Sequence, residues 1–381
     1  MAHSNTIMHQ MLKIFSRHEF ESLAKKHHQG QKLRRFNRWS QFVAMMYAQI
    51  SSRLSLRDIA SNMTAQSKKS YHLGVKSVSK STLARVNEKQ PYELYESLFT
   101  SLLTRCKSIA PKHRFRFKNK LYSLDATTID LCLNVFPWAD FRKTKGGIKL
   151  HVGMDHEGYL PSFVSITEAR FHESKWSKLL KLPKGSITIF DRAFNDYSWY
   201  NHLTSNGIFF VTRLKKNACF SIVERRQVQK KKGLTCDQTI GFTGVKADQC
   251  SRPLRRIGYR DPETGKHYVF LTNAFHLSAK TIADIYKERW QIELFFKWIK
   301  QNLKIKTFLG TSRNAVMTQI WIALCVYLLL AYIKFLNRLK ISMQQILRLL
   351  QLNLFEQRPL LELLKPPSPN KDINMAQLEL L

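Results

Sequence analysis

Three acidic residues combine type and placement in a way that could do phosphodiester chemistry: Asp125, Asp191 and Glu293. Acidic side chains are scarce, 27 Asp and Glu against 62 Lys and Arg, so their positions carry information. Asp125 lies inside "LYSLDATTIDLCL", a β-branched and apolar run that reads as a strand. Asp191 closes "SITIF", where a second strand gives way to "RAFND". Carboxyl ends of parallel strands are where open α/β sheets hold their sites. Glu293 sits in "YKERWQIELFFKWIKQNLK", residues 286–304, which reads as one amphipathic helix. Three carboxylates around one point repel each other unless a cation lies between them. Mg2+ suits such a site, being hard and oxygen-seeking with positions left open for phosphate. Two such ions, with Mn2+ as a substitute, would activate water or a 3′-hydroxyl and stabilise the leaving oxygen.

At about 100° per residue, Tyr286, Arg289, Glu293, Lys297 and Lys300 fall in one narrow sector of that helix. Ile292, Phe295, Phe296 and Ile299 fall opposite. Taken alone, the stripe could be a solvated face, with Arg289–Glu293 and Glu293–Lys297 contributing about 0.3–0.5 kcal/mol each. Asp130, Asp140, Asp155 and Asp196 read as turn or cap residues. Asp130 is an odd number of residues from Asp125 and faces the other side of the sheet.

The elements that must position these groups follow from the pattern. "GIKLHVGMDHEGYLPSFVSITEA" reads as two strands around a turn at Asp155–Gly158, "HESKWSKLLKLP" as a helix, and "NDYSWYNHLTSNG" as another before the strand "IFFVTRL". The order βββ-α-β-α-β fits an α/β fold with a ribonuclease H-like mixed sheet. We read residues 1–115 as a helical DNA-binding domain with helix-turn-helix character, where Ser81 or Thr82 caps the helix in "VSKSTLARVNEKQ". Residues 116–212 form the first part of the core, 213–275 a basic β-rich insertion, 276–310 the catalytic helix completing the core, and 311–381 C-terminal helices and a loose tail at "KPPSPNKD".

Composition sets the partner class. A formal net charge of +35 calls for a polyanion, because each phosphate contact releases counterions. The six cysteines have no CxxC spacing and read as free thiols of a reducing compartment. The 14 apolar residues from Ile320 to Ile333 are too few for a membrane span and read as a buried helix. The N-terminal "MAHSNTIMHQ" lacks a signal-peptide pattern.

These residues resemble the DDE transposases of the IS4 family of bacterial insertion sequences. Asp125 and Thr127 match the family's D-x-T strand, and "FDRAFND" is similar to its D-R-G-Y element. Tyr286, Arg289, Glu293 and Lys300 fit Y-x2-R-x3-E-x6-K without a mismatch, and the likeness spans roughly residues 30–340. Ala193 and Phe194 stand where the family has Gly and Tyr, and Glu173 follows His172 where it has Asp. The resemblance implies an enzyme that cuts at transposon ends and joins the freed 3′-hydroxyl to target DNA, working as a homodimer in the paired-end complex. It implies Asp125, Asp191 and Glu293 as metal-holding catalytic residues, with Thr127, Arg192 and His172 behind them. Arg289, Lys297 and Lys300 would hold phosphate and Tyr286 would bond one. Trp290 would stack on an extruded base or lie at the core edge. Such a protein works in the cytoplasm at the nucleoid, away from any membrane. The alternatives are a nuclease of the same fold that cuts without joining, and a non-catalytic repressor.

Overall fold

The computed structural model describes residues 5–365 apart from 31, 32, 34, 35, 76, 77, 143 and 144. The chain divides into two compact units, Ala110–Gln301 and a second made of Met1–Ile109 with Asn302–Leu381.

The helical unit opens with α1 (Ile7–Leu12), α2 (Arg17–Lys26), α3 (Arg38–Ile50), α4 (Leu56–Ala65), α5 (Ser67–Ser70), α6 (Lys80–Lys89) and α7 (Glu93–Ile109). Ser16, Asn37, Ser55 and Ser79 begin α2, α3, α4 and α6, each side chain accepting the backbone N–H three residues on. The cap of α6 is therefore Ser79, not the expected Ser81 or Thr82, because only Ser79 stands three residues before the Thr82 N–H, at 3.3 Å. Every residue of α3 is buried, as befits the central helix of this unit.

The second unit holds β1 (Leu121–Leu131), β2 (Asp140–Arg142), β3 (Lys145–Asp155), β4 (Leu160–Glu168), α8 (Glu173–Ser177), β5 (Ile187–Phe190), α9 (Tyr197–Ser205) and β6 (Phe209–Arg213). It continues with β7 (Phe220–Arg226), β8 (Leu234–Phe242), β9 (Leu254–Arg260), β10 (His267–Thr272), α10 (Ala279–Lys287) and α11 (Trp290–Asn302). All the strands join one ten-stranded mixed sheet, in the order β2-β3-β1-β5-β6-β10-β9-β8-β7 with β4 also on β3. β1 runs antiparallel to β3 and parallel to β5, and β5 runs parallel to β6. β10 pairs antiparallel with β6, so the basic insertion extends the core sheet. The helix expected over "HESKWSKLLKLP" is only the five residues of α8. The next N–H groups, of Leu179 and Leu180, bond three residues back and close a tight turn.

The sheet is covered on both faces. One cluster packs Phe190, Phe194, Phe210 and Leu124 with Trp199, Tyr200 and Leu203 of α9. The other packs Leu121, Ile187, Ile189, Val211 and Phe270 with Ile282, Ile285 and Tyr286 of α10. At about 25 cal/mol per Å2 of apolar surface removed from water, this burial stabilises β1, which carries Asp125, and β5, which Asp191 follows.

Beyond Asn302 the chain returns to the helical unit with α12 (Arg313–Leu336), α13 (Met343–Asn353) and α14 (Leu360–Leu364). α12 is 24 residues long and apolar enough to cross a membrane, but it packs against α7, α3 and α6 with 94% of its most apolar window buried, as the core helix of this unit. The tail "KPPSPNKD" lies outside the described residues apart from Lys365.

Candidate active site

Strand register sets the first two carboxylates side by side. Leu124 of β1 partners Phe190 of the parallel β5, and the next residue on each strand is Asp125 and Asp191. Neighbouring strands lie about 4.8 Å apart, and residues level with each other in a parallel pair point to the same face. Asp125 Oδ1 accepts its neighbour Ala126's N–H at 2.8 Å. Asp191 Oδ1 accepts the Ala193 N–H at 2.8 Å, capping the short turn Arg192–Phe194. Phe194, where the resembled motif has Tyr, is fully buried in the α9 cluster.

The third carboxylate does not come from one straight helix, as the periodicity of residues 286–304 had suggested. The helix breaks at Glu288–Arg289, between α10 and α11. There the N–H groups of Arg289, Gln291 and Ile292 bond three residues back, at 3.1, 3.0 and 3.2 Å. The break follows from tertiary packing. In a straight helix Tyr286 would share a face with Glu293, seven residues on. Here Tyr286 turns into the sheet core, its ring 4.9 Å from Phe270, while Glu293 stays accessible. Glu288 is drawn inward, accepting from Arg114 at 2.5 Å and from the Tyr159 hydroxyl at 3.3 Å. Tyr286 thus leaves the exposed stripe to which its spacing assigned it.

Arg289 ties the site together. Its Nη1 donates to Asp125 Oδ2 at 3.2 Å, and its Nη2 donates to Glu293 Oε1. Burial pushes the Asp125 carboxyl up to about 6, with Asp191 and Glu293 adding to the rise and the Ala126 N–H and Arg289 opposing it. Burial also raises the Tyr286 hydroxyl, against the pull of Arg289 and Arg213. Lys300, two turns beyond Glu293, donates to Thr127 Oγ1 at 2.6 Å and to the Thr128 carbonyl at 2.9 Å. Lys297 is exposed on the same helix, and Trp290 is 57% exposed. Trp290 borders a cavity of about 310 Å3 lined also by Arg213, Tyr268, Phe270, Tyr286 and Arg289.

Arg192 is half-buried on the turn after Asp191. His172 is exposed at the start of α8, and its neighbour Glu173 pairs with Lys149 at 3.0 Å. The other acidic residues have ordinary structural work. Asp196 caps α9 through the Trp199 N–H at 3.0 Å. Asp155 accepts the Glu157 N–H at 2.9 Å in the turn after β3. Asp130 is exposed next to Ile129 and Leu131, which are buried. Asp140 begins β2, and its side chain lies outside the described residues.

The donor chemistry fits a hard divalent cation, since the groups meeting here are carboxylates with no thiolate or imidazole among them. Burial chiefly, and then the nearby Asp191 and Glu293, raise Asp125, and a cation would favour its ionised form. Among the described residues, no three His, Cys, Asp or Glu side chains are gathered closely enough to share an ion as they stand. The guanidinium of Arg289 spans Asp125 and Glu293 instead.

Sequence reasoning missed a buried polar group behind this site. Ser123 Oγ shares a 2.7 Å hydrogen bond with His156 Nε2, and His156 Nδ1 stands 3.8 Å from Glu288 Oε2. Ser123 lies two residues before Asp125, a period-two spacing that gives the only hint in the sequence. It also missed the buried Asp237–Arg255 pair, bidentate at 2.8 and 2.6 Å, which stitches β8 to β9.

Aspartates on adjacent strands, a glutamate from a helix, and an arginine and a lysine reaching the same strand thus lie within one unit of the fold. The chain belongs to the family with a transposase DDE domain, whose family model matches residues 116–329. A domain of unknown function, DUF4372, matches residues 3–76. The chain is 31% identical over 292 residues to y4zB of Sinorhizobium fredii, described as a transposase, covering 76% of this chain and 81% of that one. It is 29% identical to the protein of Geobacillus stearothermophilus described as the transposase for insertion sequence element IS5377, over 66% and 67% of the two chains. It is 24% identical to the Synechocystis protein described as the transposase for IS4SA, over 74% and 80%. The protein is a DDE transposase of an insertion sequence, a DNA-transposing enzyme that depends on a divalent metal.

Proposed function

We propose that the chain is an IS4-type transposase that binds the terminal inverted repeats of its element, cuts there and joins the freed 3′-hydroxyl to target DNA. The observation that carries this reading is the register of Leu124 on Phe190, which aligns Asp125 with Asp191 beneath Arg289 and Glu293. The strand order β4-β3-β1-β5-β6, three antiparallel strands followed by two parallel ones, supports a ribonuclease H-like core.

In this reading Asp125, Asp191 and Glu293 would hold two Mg2+ ions, or Mn2+ in their place, which when bound would activate the oxygen nucleophile and stabilise the leaving oxygen. The protein's own groups do the rest. Arg289 leaves its internal bridge and turns to a phosphate oxygen, to which its fork offers paired donors. Lys300, held by Thr127 and Thr128, keeps a fixed positive charge beside the scissile bond. Lys297 meets the backbone further along, and Trp290 offers an exposed face to an unpaired base above the adjoining cavity. Tyr286 supports Arg289 from within the core. Arg192 and His172 flank the site without touching the carboxylates among the described residues. Residues 1–115 contribute the recognition of the transposon ends, and two copies act together on paired ends in the cytoplasm, at the nucleoid.

The test is strand cleavage and strand transfer on a DNA fragment carrying the element's own end, with Mg2+. Glu293→Gln should lose at least about 10³-fold in cleavage, the scale of a lost transition-state charge partner, while end binding stays within about twofold. Cleavage that persists in this variant refutes the assignment. Cleavage without joining by the unaltered protein identifies a nuclease of this fold, and neither reaction identifies a repressor.

A further inference from the structure

The active site depends on more than the groups that face it. Glu288 is 5% exposed and occupies the first position of the two-residue break between α10 and α11. Its carboxylate is engaged from three directions: Arg114 at 2.5 Å, the Tyr159 hydroxyl at 3.3 Å, and His156 Nδ1 at 3.8 Å. His156 is in turn bonded at 2.7 Å to Ser123, two residues before Asp125 on β1. The contacts therefore close a ring: from Asp125 along the strand to Ser123, across His156 to Glu288, one peptide on to Arg289, and back to Asp125 at 3.2 Å. Rotating this buried carboxylate would leave it without the Arg114 and Tyr159 donors that offset its desolvation. The peptide that follows it, and hence the origin of the Arg289 side chain, is fixed relative to the strand that carries Asp125.

We infer that Glu288 is a positioning residue for the transposition chemistry: it seats the α10–α11 break so that Arg289 reaches from β1 to Glu293 and, in the DNA complex, to phosphate. The inference rests on the active-site reading above. It assigns Glu288 no contact with DNA or metal. Its whole effect passes through Arg289, which distinguishes it from a residue that only holds the fold.

The experiment measures single-turnover cleavage of a transposon-end fragment in Mg2+ by the full chain, with the folded fraction and end affinity determined for each variant. Glu288→Ala should cleave about 10²-fold more slowly at saturating DNA, the cost of misplacing a contributing group by about an ångström. Its end affinity should stay within about twofold. Glu288→Gln, whose amide oxygen can still accept from Arg114 while its NH2 can donate to the Tyr159 hydroxyl oxygen, should recover most of that rate. In an Arg289→Ala background, Glu288→Ala should change the rate by less than about twofold, because the group it positions is already gone. The proposal is overturned if Glu288→Ala cleaves within about threefold of the unaltered protein. It is equally overturned if the substitution slows Arg289→Ala as much as it slows the unaltered chain. If Glu288→Ala does not fold, Glu288→Asp, whose carboxylate is withdrawn by one methylene from Arg114 and Tyr159, decides. A loss present with Arg289 and absent without it supports the proposal, and an equal loss in both backgrounds, or no loss, ends it. Asp125→Asn is run alongside: if it still cleaves, the active-site reading itself has failed, which is a separate result.

Discussion

Replacing Asp125 with Asn should make the metal-free protein more stable at pH 8, even as it removes a group the chemistry needs. The Asp125 carboxyl is held up at about 6 from an ordinary 3.8, chiefly by burial and also by Asp191 and Glu293. Between those values the folded chain keeps a proton that the unfolded chain has lost. The stabilising contribution of the neutral acid is complete below about pH 4 and is lost as the pH rises through about 6. Each pH unit between the two values corresponds to about 1.4 kcal/mol, so the ionised carboxylate costs about 3 kcal/mol at pH 8. Asn keeps the shape and cannot ionise. In a unit of this size about 3 kcal/mol is about 6–12 °C in Tm. The assay is urea and thermal unfolding of Asp125→Asn and the unaltered protein, with chelator, at pH 4 and pH 8. The variant should gain its advantage only at the higher pH, and added Mg2+ should stabilise the unaltered protein more than the variant. A stability difference that is the same at both pH values refutes the account of a carboxylate strained by burial and crowding.

Other substitutions separate chemistry from architecture. Lys300→Met removes the donor to Thr127 and Thr128 and should slow cleavage about 10²-fold with little change in melting, read by single-turnover kinetics and calorimetry. Arg255→Leu leaves Asp237 buried without its bidentate partner and should destabilise the sheet by about 3–5 kcal/mol, measured by urea unfolding. Asp196→Ala removes the α9 cap and should cost about 1 kcal/mol while the folded protein cleaves at its usual rate, the behaviour of a structural aspartate.

The elements that carry Asp125, Asp191 and Glu293 were legible because their signals are local. A strand interior, a strand end and a helical stripe each show in a window of about ten residues. The decoys were legible for the same reason: Asp155 and Asp196 sit beside turn and cap residues whose N–H groups they accept. The break at Glu288–Arg289 was not, because the period of residues 286–304 runs through it unchanged. What bends the chain there is burial of Glu288 against Arg114, Tyr159 and His156, all more than a hundred residues earlier. The α6 cap was ambiguous because Ser79, Ser81 and Thr82 are all good cap formers, and only the start of the helix chooses among them. Residues 213–275 read as short strands, and β7 to β10 lie there, but strand propensity names no partner. That β10 would lie on β6 is a long-range pairing that no local pattern encodes.

The division of the chain has a consequence for how the protein is made. The helical unit is assembled from segments on either side of the sheet unit in sequence, and its core helix α12 leaves the ribosome only after the whole sheet unit has. The sheet unit is contiguous, so all of its strands and both α10 and α11 are available for folding while α3, α6 and α7 still lack their central packing partner. During synthesis the half bearing the carboxylates can reach its native state first. A nascent chain cut short near residue 302 would carry a complete set of acidic groups beside a helical half without its core.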